Sequence, residues 1–208
     1  MSIPPIVVSH PLAQIHLTAL RCKDTTSGQF RWHMHRLAEI LFTVASRSLE
    51  TKAVSVQTPL AECAGQAFAR PLVLVPVMRA GLGLSEAILS MVPEAVIAHI
   101  GIARDEETAL PKPYYAKVPA LIGRADVFVL DPMLATGGTA CFTLRQLKLA
   151  GAERLTFISV VSSPEGLQAM ADEHPDVPII TAAIDEGLNE QFYIVPGLGD
   201  AGDRCFNT

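Results

Sequence analysis

The chain alternates short, continuous apolar runs with longer stretches in which apolar positions recur every three or four residues. From Thr25, TTSGQFRWHMHRLAEILFTVASRSLE sets Phe30, Leu37, Ile40, Leu41 and Val44 at helical spacing, and Thr25, Thr26 or Ser27 can cap it. KAVSVQT alternates as an edge strand or a hairpin arm does. LVLVPVM (Leu72 to Met78) reads as a strand buried on both faces, GLSEAILSMV as a helix, and Ala95 to Ala103 as another buried strand. After an interruption the rhythm resumes: strand ADVFVLD, helix TACFTLRQLKLAG, strand RLTFISVVS, helix PEGLQAMADEH, strand PIITAAI. This alternation predicts an α/β fold, a mostly parallel sheet flanked by helices.

Two stretches break the pattern. Arg104 to Gly123 is charged, contains three prolines and is long for a connection, so it reads as a mobile functional loop or hairpin. The tail from Tyr193 to Thr208 is glycine-rich without helical periodicity, and is expected to be a shaped loop.

A length of 208 residues suits one domain, 1–208, with a sizeable core. Half the residues are hydrophobic and 18% charged, which favours folding over disorder. Mean hydropathy is high at +0.33, yet no apolar run approaches the ~20 residues of a membrane span. The start, MSIPPIVVSHPL, lacks the basic region and smooth apolar core of a signal peptide, so the expectation is a cytoplasmic protein without membrane contact. A net charge of −5 argues against a broad nucleic-acid surface, leaving any anionic ligand to a few arginines and well-aimed N–H groups. Cys22, Cys63, Cys141 and Cys205 are scattered without a C-x-x-C pair, which disfavours a zinc site or disulfide framework. His33 and His35 beside Trp32 read as a feature of a helix surface.

In such folds ligands gather at the carboxyl ends of the strands. The informative segments are therefore MRAGLG, ARDEET and DPMLATGG. In LATGGTA, small residues bare the N–H groups of a helix start and form a cup for phosphate, with Thr136 and Thr139 adding hydroxyls. The spacing and lysine of a nucleoside-triphosphate loop are missing, and GLGLSEA lacks the third glycine of a dinucleotide fingerprint. Asp131 ahead of the cup suits a sugar phosphate, its carboxylate accepting from ribose hydroxyls. The same small residues would also serve helix–sheet packing alone, Arg79 and Arg104 would also serve as surface ion pairs, and Asp200 would also serve as a loop cap.

DPMLATGGTA resembles the phosphoribosyl-pyrophosphate loop of type I phosphoribosyltransferases, in the form found in the uracil phosphoribosyltransferase family. VPVMRAGLG (Val75 to Gly83), ARDEET (Ala103 to Thr108), HPDV and DEGLNEQFYIVPGLGDAGDR (Asp185 to Arg204) resemble that family in order and spacing, so the likeness runs over nearly the whole chain. Other type I members usually carry two adjacent acids where this chain has Asp131 followed by Pro132. The resemblance implies a type I fold with a protruding hairpin arm, a small hood over 104–123 and a base-recognition region over 185–208. It implies transfer of a phosphoribosyl group from 5-phosphoribosyl 1-pyrophosphate to uracil, giving UMP and diphosphate in pyrimidine salvage. It assigns the sugar phosphate to Arg79, Arg104, Asp131, Pro132, Met133, Leu134, Ala135, Thr136, Gly137, Gly138, Thr139 and Asp200. Catalysis falls to Asp131, Asp200 and Arg104, and uracil to Ile194, Gly199, Asp200 and Ala201, with backbone groups matching its acceptor–donor–acceptor edge. Mg²⁺ is expected on the diphosphate, held mainly by substrate oxygens and water, with no protein ligand set. Activation by GTP and assembly as a homodimer or homotetramer are also raised by the resemblance. The N-terminal helix FRWHMHRLAEILFTVAS departs from the family's more polar version and leaves both open.

Overall fold

The computed structural model describes residues 2–104 and 111–208. β1 (Ile6–Val7) leads into α1 (Pro11–Arg21), where His10 accepts from the Leu12 amide and Pro11 sits in the first turn. Ala13, Leu17 and Leu20 form its buried stripe, and this helix is not among those expected from the sequence. α2 (Ser27–Ala45) begins at Thr26, whose hydroxyl and the Gln29 side chain cap each other's amides. Among the described residues β2 (Thr51–Gln57) and β3 (Glu62–Phe68) form a two-stranded sheet of their own, so KAVSVQT belongs to a hairpin arm.

β4 (Leu72–Pro76), α3 (Leu82–Met91) and β5 (Val96–Ile97) form a crossover unit. The single strand expected over Ala95 to Ala103 is divided. Only Val96 and Ile97 pair with β4, and from His99 the chain pairs antiparallel with β7, shifting register between Gly101 and Ile102. This hairpin joins β6 (His99–Arg104) to β7 (Pro111–Lys117) and accounts for much of the interruption in the sequence pattern. The hood expected over 104–123 falls partly on residues 105–110, outside the described residues.

The chain continues through β8 (Asp126–Leu130), β9 (Met133–Leu134), α4 (Gly138–Leu149), β10 (Arg154–Ser162), α5 (Pro164–Glu173) and β11 (Ile179–Ile184). The short pair β12 (Gly187–Leu188) and β13 (Ile194–Val195) precedes α6 (Ala201–Phe206). That last helix corrects the expectation of an irregular tail. Asp200 caps it, its Oδ1 accepting from the Asp203 amide at 2.9 Å, and six residues are too few to show a period in sequence.

The central sheet is parallel, in the order β1-β11-β10-β8-β4-β5, with β9 added to β10. Alternation sends successive side chains to opposite layers. Leu72, Leu74, Phe128, Leu130 and Ile158 pack with Leu20, Phe30 and Leu37 from α1 and α2. Val73, Val75, Val127, Val129 and Phe157 pack with Leu144, Leu147 and Met170 from α4 and α5. Full burial of each such side chain stabilises by roughly 1.5–3 kcal/mol, which makes this two-sided core the main support of the strand ends. From β4 the chain steps outward to β5, and from β8 it steps the other way to β10 and β11. The order therefore reverses between β4 and β8, which opens a crevice at their carboxyl ends.

Candidate active site

The apolar run of β8 ends at Leu130, whose carbonyl accepts from Val77 at 2.9 Å and so ties the end of β8 to that of β4. Asp131 follows, its own amide held by Ile158 at 3.1 Å. Its Oδ1 accepts from the Met133 amide at 3.3 Å, a long single bond for a carboxylate. Although the residue keeps some surface at the crevice, burial of the carboxyl pushes it up to about 7, with the Met133 N–H pulling the other way.

Beyond β9 the backbone turns through Gly137 at φ +82°, left-handed space that a side-chain-bearing residue enters at a penalty. A Cβ there would lie 2.7 Å from the Ala169 Cβ, so α5 seats directly against this turn. Among the described residues no backbone carbonyl accepts from the amides of Thr136 or Gly137. Gly138, Thr139 and Ala140 open α4, where helix geometry leaves the amides without intrahelical partners. The Gly138 amide has only a long contact with Thr136 Oγ1, at 3.4 Å. Beside this turn lies a recess of about 90 Å³ lined by Asp131, Met133, Leu134, Ala135, Thr136, Gly137, Thr139 and Ala140.

A wider cleft of about 340 Å³ adjoins it, lined by Ala80, Asp131, Met133, Ala135, residues 191–194 and residues 199–202. Asp131, Met133 and Ala135 border both spaces, so the recess and the cleft are adjoining parts of one trough, with Asp131 as the carboxylate on their shared wall. The far wall is built by β12 and β13, the cis Val195–Pro196 bond, and the turn at Gly197 and Gly199 with φ of +59° and +69°. A Cβ on Gly197 would fall 2.0 Å from the Ile194 carbonyl oxygen, so that turn closes only over a glycine.

The trough brings together Asp131, Met133, Leu134, Ala135, Thr136, Gly137, Thr139, Ile194, Gly199, Asp200 and Ala201, all anticipated from sequence. Pro132 is buried and lines neither space; its carbonyl accepts from Val160 and Val161, both at 3.0 Å. Gly138 lines neither space and is exposed at the start of α4. Arg79 stands beside the trough rather than in it, its Nη2 3.1 Å from Asp203 Oδ1, with both side chains about half exposed. Arg104 ends β6, but its side chain lies outside the described residues. Asp200 caps α6, as its loop-cap reading from sequence has it, and also lines the cleft. Sequence reasoning missed Ala80, Gln191, Phe192, Tyr193 and Gly202 as walls. FYIVPG lies within the base-recognition region expected over 185–208, and its aromatic pair, exposed in the structure, was the available signal.

Hard carboxylate oxygens at Asp131 and Asp200 fit Mg²⁺ carried in by a diphosphate. They do not form a dedicated cage. Among the described residues the one three-ligand cluster, Cys141, Glu173 and His174, lines neither part of the trough. Its Cys141 thiol is pushed up to about 11 by burial, which keeps it protonated. All four cysteines are free. His33 meets His16 of α1 rather than His35, Nδ1 to Nδ1 at 3.0 Å, with Trp32 edge-on to both rings, a packing feature of the α1–α2 surface. Among the described residues no helix is long and apolar enough to cross a membrane.

A sequence model described as uracil phosphoribosyltransferase matches residues 7–208. The uracil phosphoribosyltransferase of Salinibacter ruber is 48% identical over 97% of this chain and 96% of its own length. That of Dictyoglomus turgidum is 46% identical over 98% and 99%. Among solved structures, the AQ2163 protein of Aquifex aeolicus superposes with a TM-score of 0.92 at 34% identity, covering 98% of each chain. An adenine phosphoribosyltransferase from Trypanosoma brucei, at 14% identity and a TM-score of 0.57 over 90% of this chain and 86% of its own, shares the fold. The recess at the start of α4, the carboxylate beside it and the glycine-turned far wall thus stand in a chain whose relatives match it end to end: it belongs to the uracil phosphoribosyltransferase family.

Proposed function

We propose that the protein transfers the 5-phosphoribosyl group of 5-phosphoribosyl 1-pyrophosphate to N1 of uracil, producing UMP and diphosphate in pyrimidine salvage. The observation that carries this reading is the pair of adjoining cavities, the small recess at the start of α4 and the wider cleft under residues 191–194 and 199–202, with Asp131 on their shared wall.

In this reading the amides around Ala135 to Thr139 grip the 5′-phosphate, and the hydroxyls of Thr136 and Thr139 complete the shell. Charge-assisted hydrogen bonds to such donors are about twice as strong as neutral ones. Asp131 accepts from the ribose hydroxyls and sets negative charge near the anomeric carbon as cationic character develops there. Asp200 adds a second carboxylate on the ribose side. Arg79 swings from the weak, exposed Asp203 pair to the diphosphate, and Arg104 joins it from the end of β6. Bound to the diphosphate, Mg²⁺ would neutralise the leaving group, with Asp200 as the accessible protein oxygen. Backbone groups of Ile194, Gly199 and Ala201 read the O2, N3–H and O4 edge of uracil. Cytosine reverses polarity at two of those atoms and would leave buried groups unpaired, a mismatch worth about 10⁴-fold or more in hydrogen-bonded sites.

The test is a set of reactions with 5-phosphoribosyl 1-pyrophosphate, Mg²⁺ and, separately, uracil, cytosine, orotate or hypoxanthine. UMP should form and the other nucleotides should not. Comparable turnover of cytosine contradicts the edge matching, and absence of UMP contradicts the reading itself. A cytoplasmic location, activation by GTP and a homodimer or homotetramer belong to the same proposal. Exposed Val56, Leu60 and Phe68 on the β2–β3 arm support an assembly that covers them. Initial rates with and without GTP, and sedimentation equilibrium, decide the last two.

A further inference from the structure

Two arginines outside the trough converge on the turn that shapes its far wall. Arg21, the last residue of α1, forks onto Asp185: Nη1 lies 2.8 Å from Oδ2 and Nη2 2.6 Å from Oδ1. The carboxylate is well shielded, the Asp185 side chain being 4% exposed, while the Arg21 side chain keeps 27%. Both members also hold Gly197. Its amide donates to Asp185 Oδ2 at 2.8 Å, and its carbonyl accepts from Arg21 Nη1 at 3.0 Å. The next carbonyl, Leu198, accepts from Arg204 Nη1 at 2.9 Å, while Arg204 Nη2 donates to Cys22 just past the end of α1 at 2.6 Å.

The anchor is stiff on both sides. Asp185 follows β11 directly, its amide donating to Ser162 of β10 at 2.9 Å, and α1 packs its buried stripe into the core beneath. Neither Arg21 nor Asp185 lines the trough, so neither touches a ligand there. Their grip uses up both polar groups of Gly197, which lies between Ile194 and the Gly199–Ala201 segment. Only the neighbours are left to face a base.

We propose that the Arg21–Asp185 pair is a positioning device for the pyrimidine: by holding Gly197 it sets the spacing between the backbone groups of Ile194 on one side and Gly199 to Ala201 on the other. The inference rests on the reading that this wall receives uracil. Recognition by main-chain atoms has no side-chain rotamers with which to compensate for an error, and a displacement of about 1 Å is enough to cost about 10²-fold in a positioned site. A device of this kind acts chiefly on the base, because the cup at Ala135 to Thr139 is built on β9, α4 and α5, and Asp200, the sugar-phosphate residue within the positioned segment, is held separately as the cap of α6, its Oδ1 accepting from the Asp203 amide.

Steady-state kinetics on Arg21→Ala, Arg21→Lys and the unaltered protein separate the possibilities. Arg21→Ala should raise the KM for uracil at least about tenfold, leave that for 5-phosphoribosyl 1-pyrophosphate within about twofold, and narrow the preference for uracil over cytosine. Arg21→Lys keeps the charge but not the fork, so it should fall between the two, and it serves as the test if Arg21→Ala does not fold. Added methylguanidinium should lower the uracil KM of Arg21→Ala without changing the other. The proposal is overturned if folded variants keep the uracil KM of the unaltered protein, or if both KM values rise together, as loss of general scaffolding would cause. Failure of the unaltered protein to make UMP would instead remove the reading on which the proposal stands.

Discussion

Replacing Gly137 by alanine puts a methyl group where the proposed phosphate cup is tightest. At φ +82° the substitution forces a side chain into left-handed space, which costs roughly 1–2 kcal/mol. The new Cβ would sit 2.7 Å from the Ala169 Cβ and 3.2 Å from the Gly166 carbonyl oxygen. Carbon atoms rest at about 3.5–4.0 Å, so α5 and the cup must part by close to 1 Å. Overpacking of this size costs about 1–3 kcal/mol. The sum, about 3.5 kcal/mol in mid-range, corresponds to a fall of roughly 7–14 °C in Tm for a chain of this length. Where the cup yields instead of α5, one charge-assisted hydrogen bond is lost. At about 1.5–3 kcal/mol, that raises the KM for 5-phosphoribosyl 1-pyrophosphate about 10- to 100-fold while the uracil KM stays within a few fold. Adding Ala169→Gly removes the facing methyl and should restore the packing share but not the backbone share. Thermal melts and initial rates on the single and double variants are the assay. A Gly137→Ala protein with unaltered Tm and unaltered KM would refute the picture of a backbone cup sealed by α5.

The remaining predictions concern charge. Asp131 holds its proton up to about 7 when folded, against about 3.9 in an unfolded chain, so its contribution to stability is complete below about pH 4 and lost as pH rises through about 7. Asp131→Asn cannot titrate; the Tm difference, variant minus unaltered protein, should therefore grow between pH 5 and pH 8, and a constant difference would contradict the assignment. In the unaltered protein kcat/KM should rise with pH through about 7 as the carboxylate forms, and that limb should vanish, along with most turnover, in Asp131→Asn. Arg79→Ala should raise the KM for 5-phosphoribosyl 1-pyrophosphate about tenfold or more while changing stability by no more than about 1 kcal/mol, since its partner Asp203 is an exposed one; an unchanged KM would place the diphosphate elsewhere.

The sheet was legible because buried parallel strands announce themselves as apolar runs. Leu72 and Leu74 go to one layer and Val73 and Val75 to the other, as a strand covered on both faces requires. The recess at the start of α4 was legible for a local reason as well: small residues, carboxylate and helix start lie within the ten residues from Asp131 to Ala140. What escaped depends on distance or on shortness. α1 has its stripe at Ala13, Leu17 and Leu20, but the prolines before it mask the start. α6 is a single capped turn and a half. Ala95 to Ala103 read as one strand because nothing local marks the place where the chain leaves the sheet for the hairpin. Arg21 and Asp185 lie 164 residues apart, and no periodicity joins them. Phe192, at φ +62°, helps turn the far wall through a conformation that its residue type does not suggest.

A crystal structure with bound UMP tests the central claim most directly. The account predicts the phosphate in the recess beside Asp131, its oxygens about 2.7–3.2 Å from amide nitrogens between Ala135 and Thr139, with the pyrimidine edge against Ile194 and Ala201. A phosphate seated anywhere else, with those amides left facing water, would contradict it.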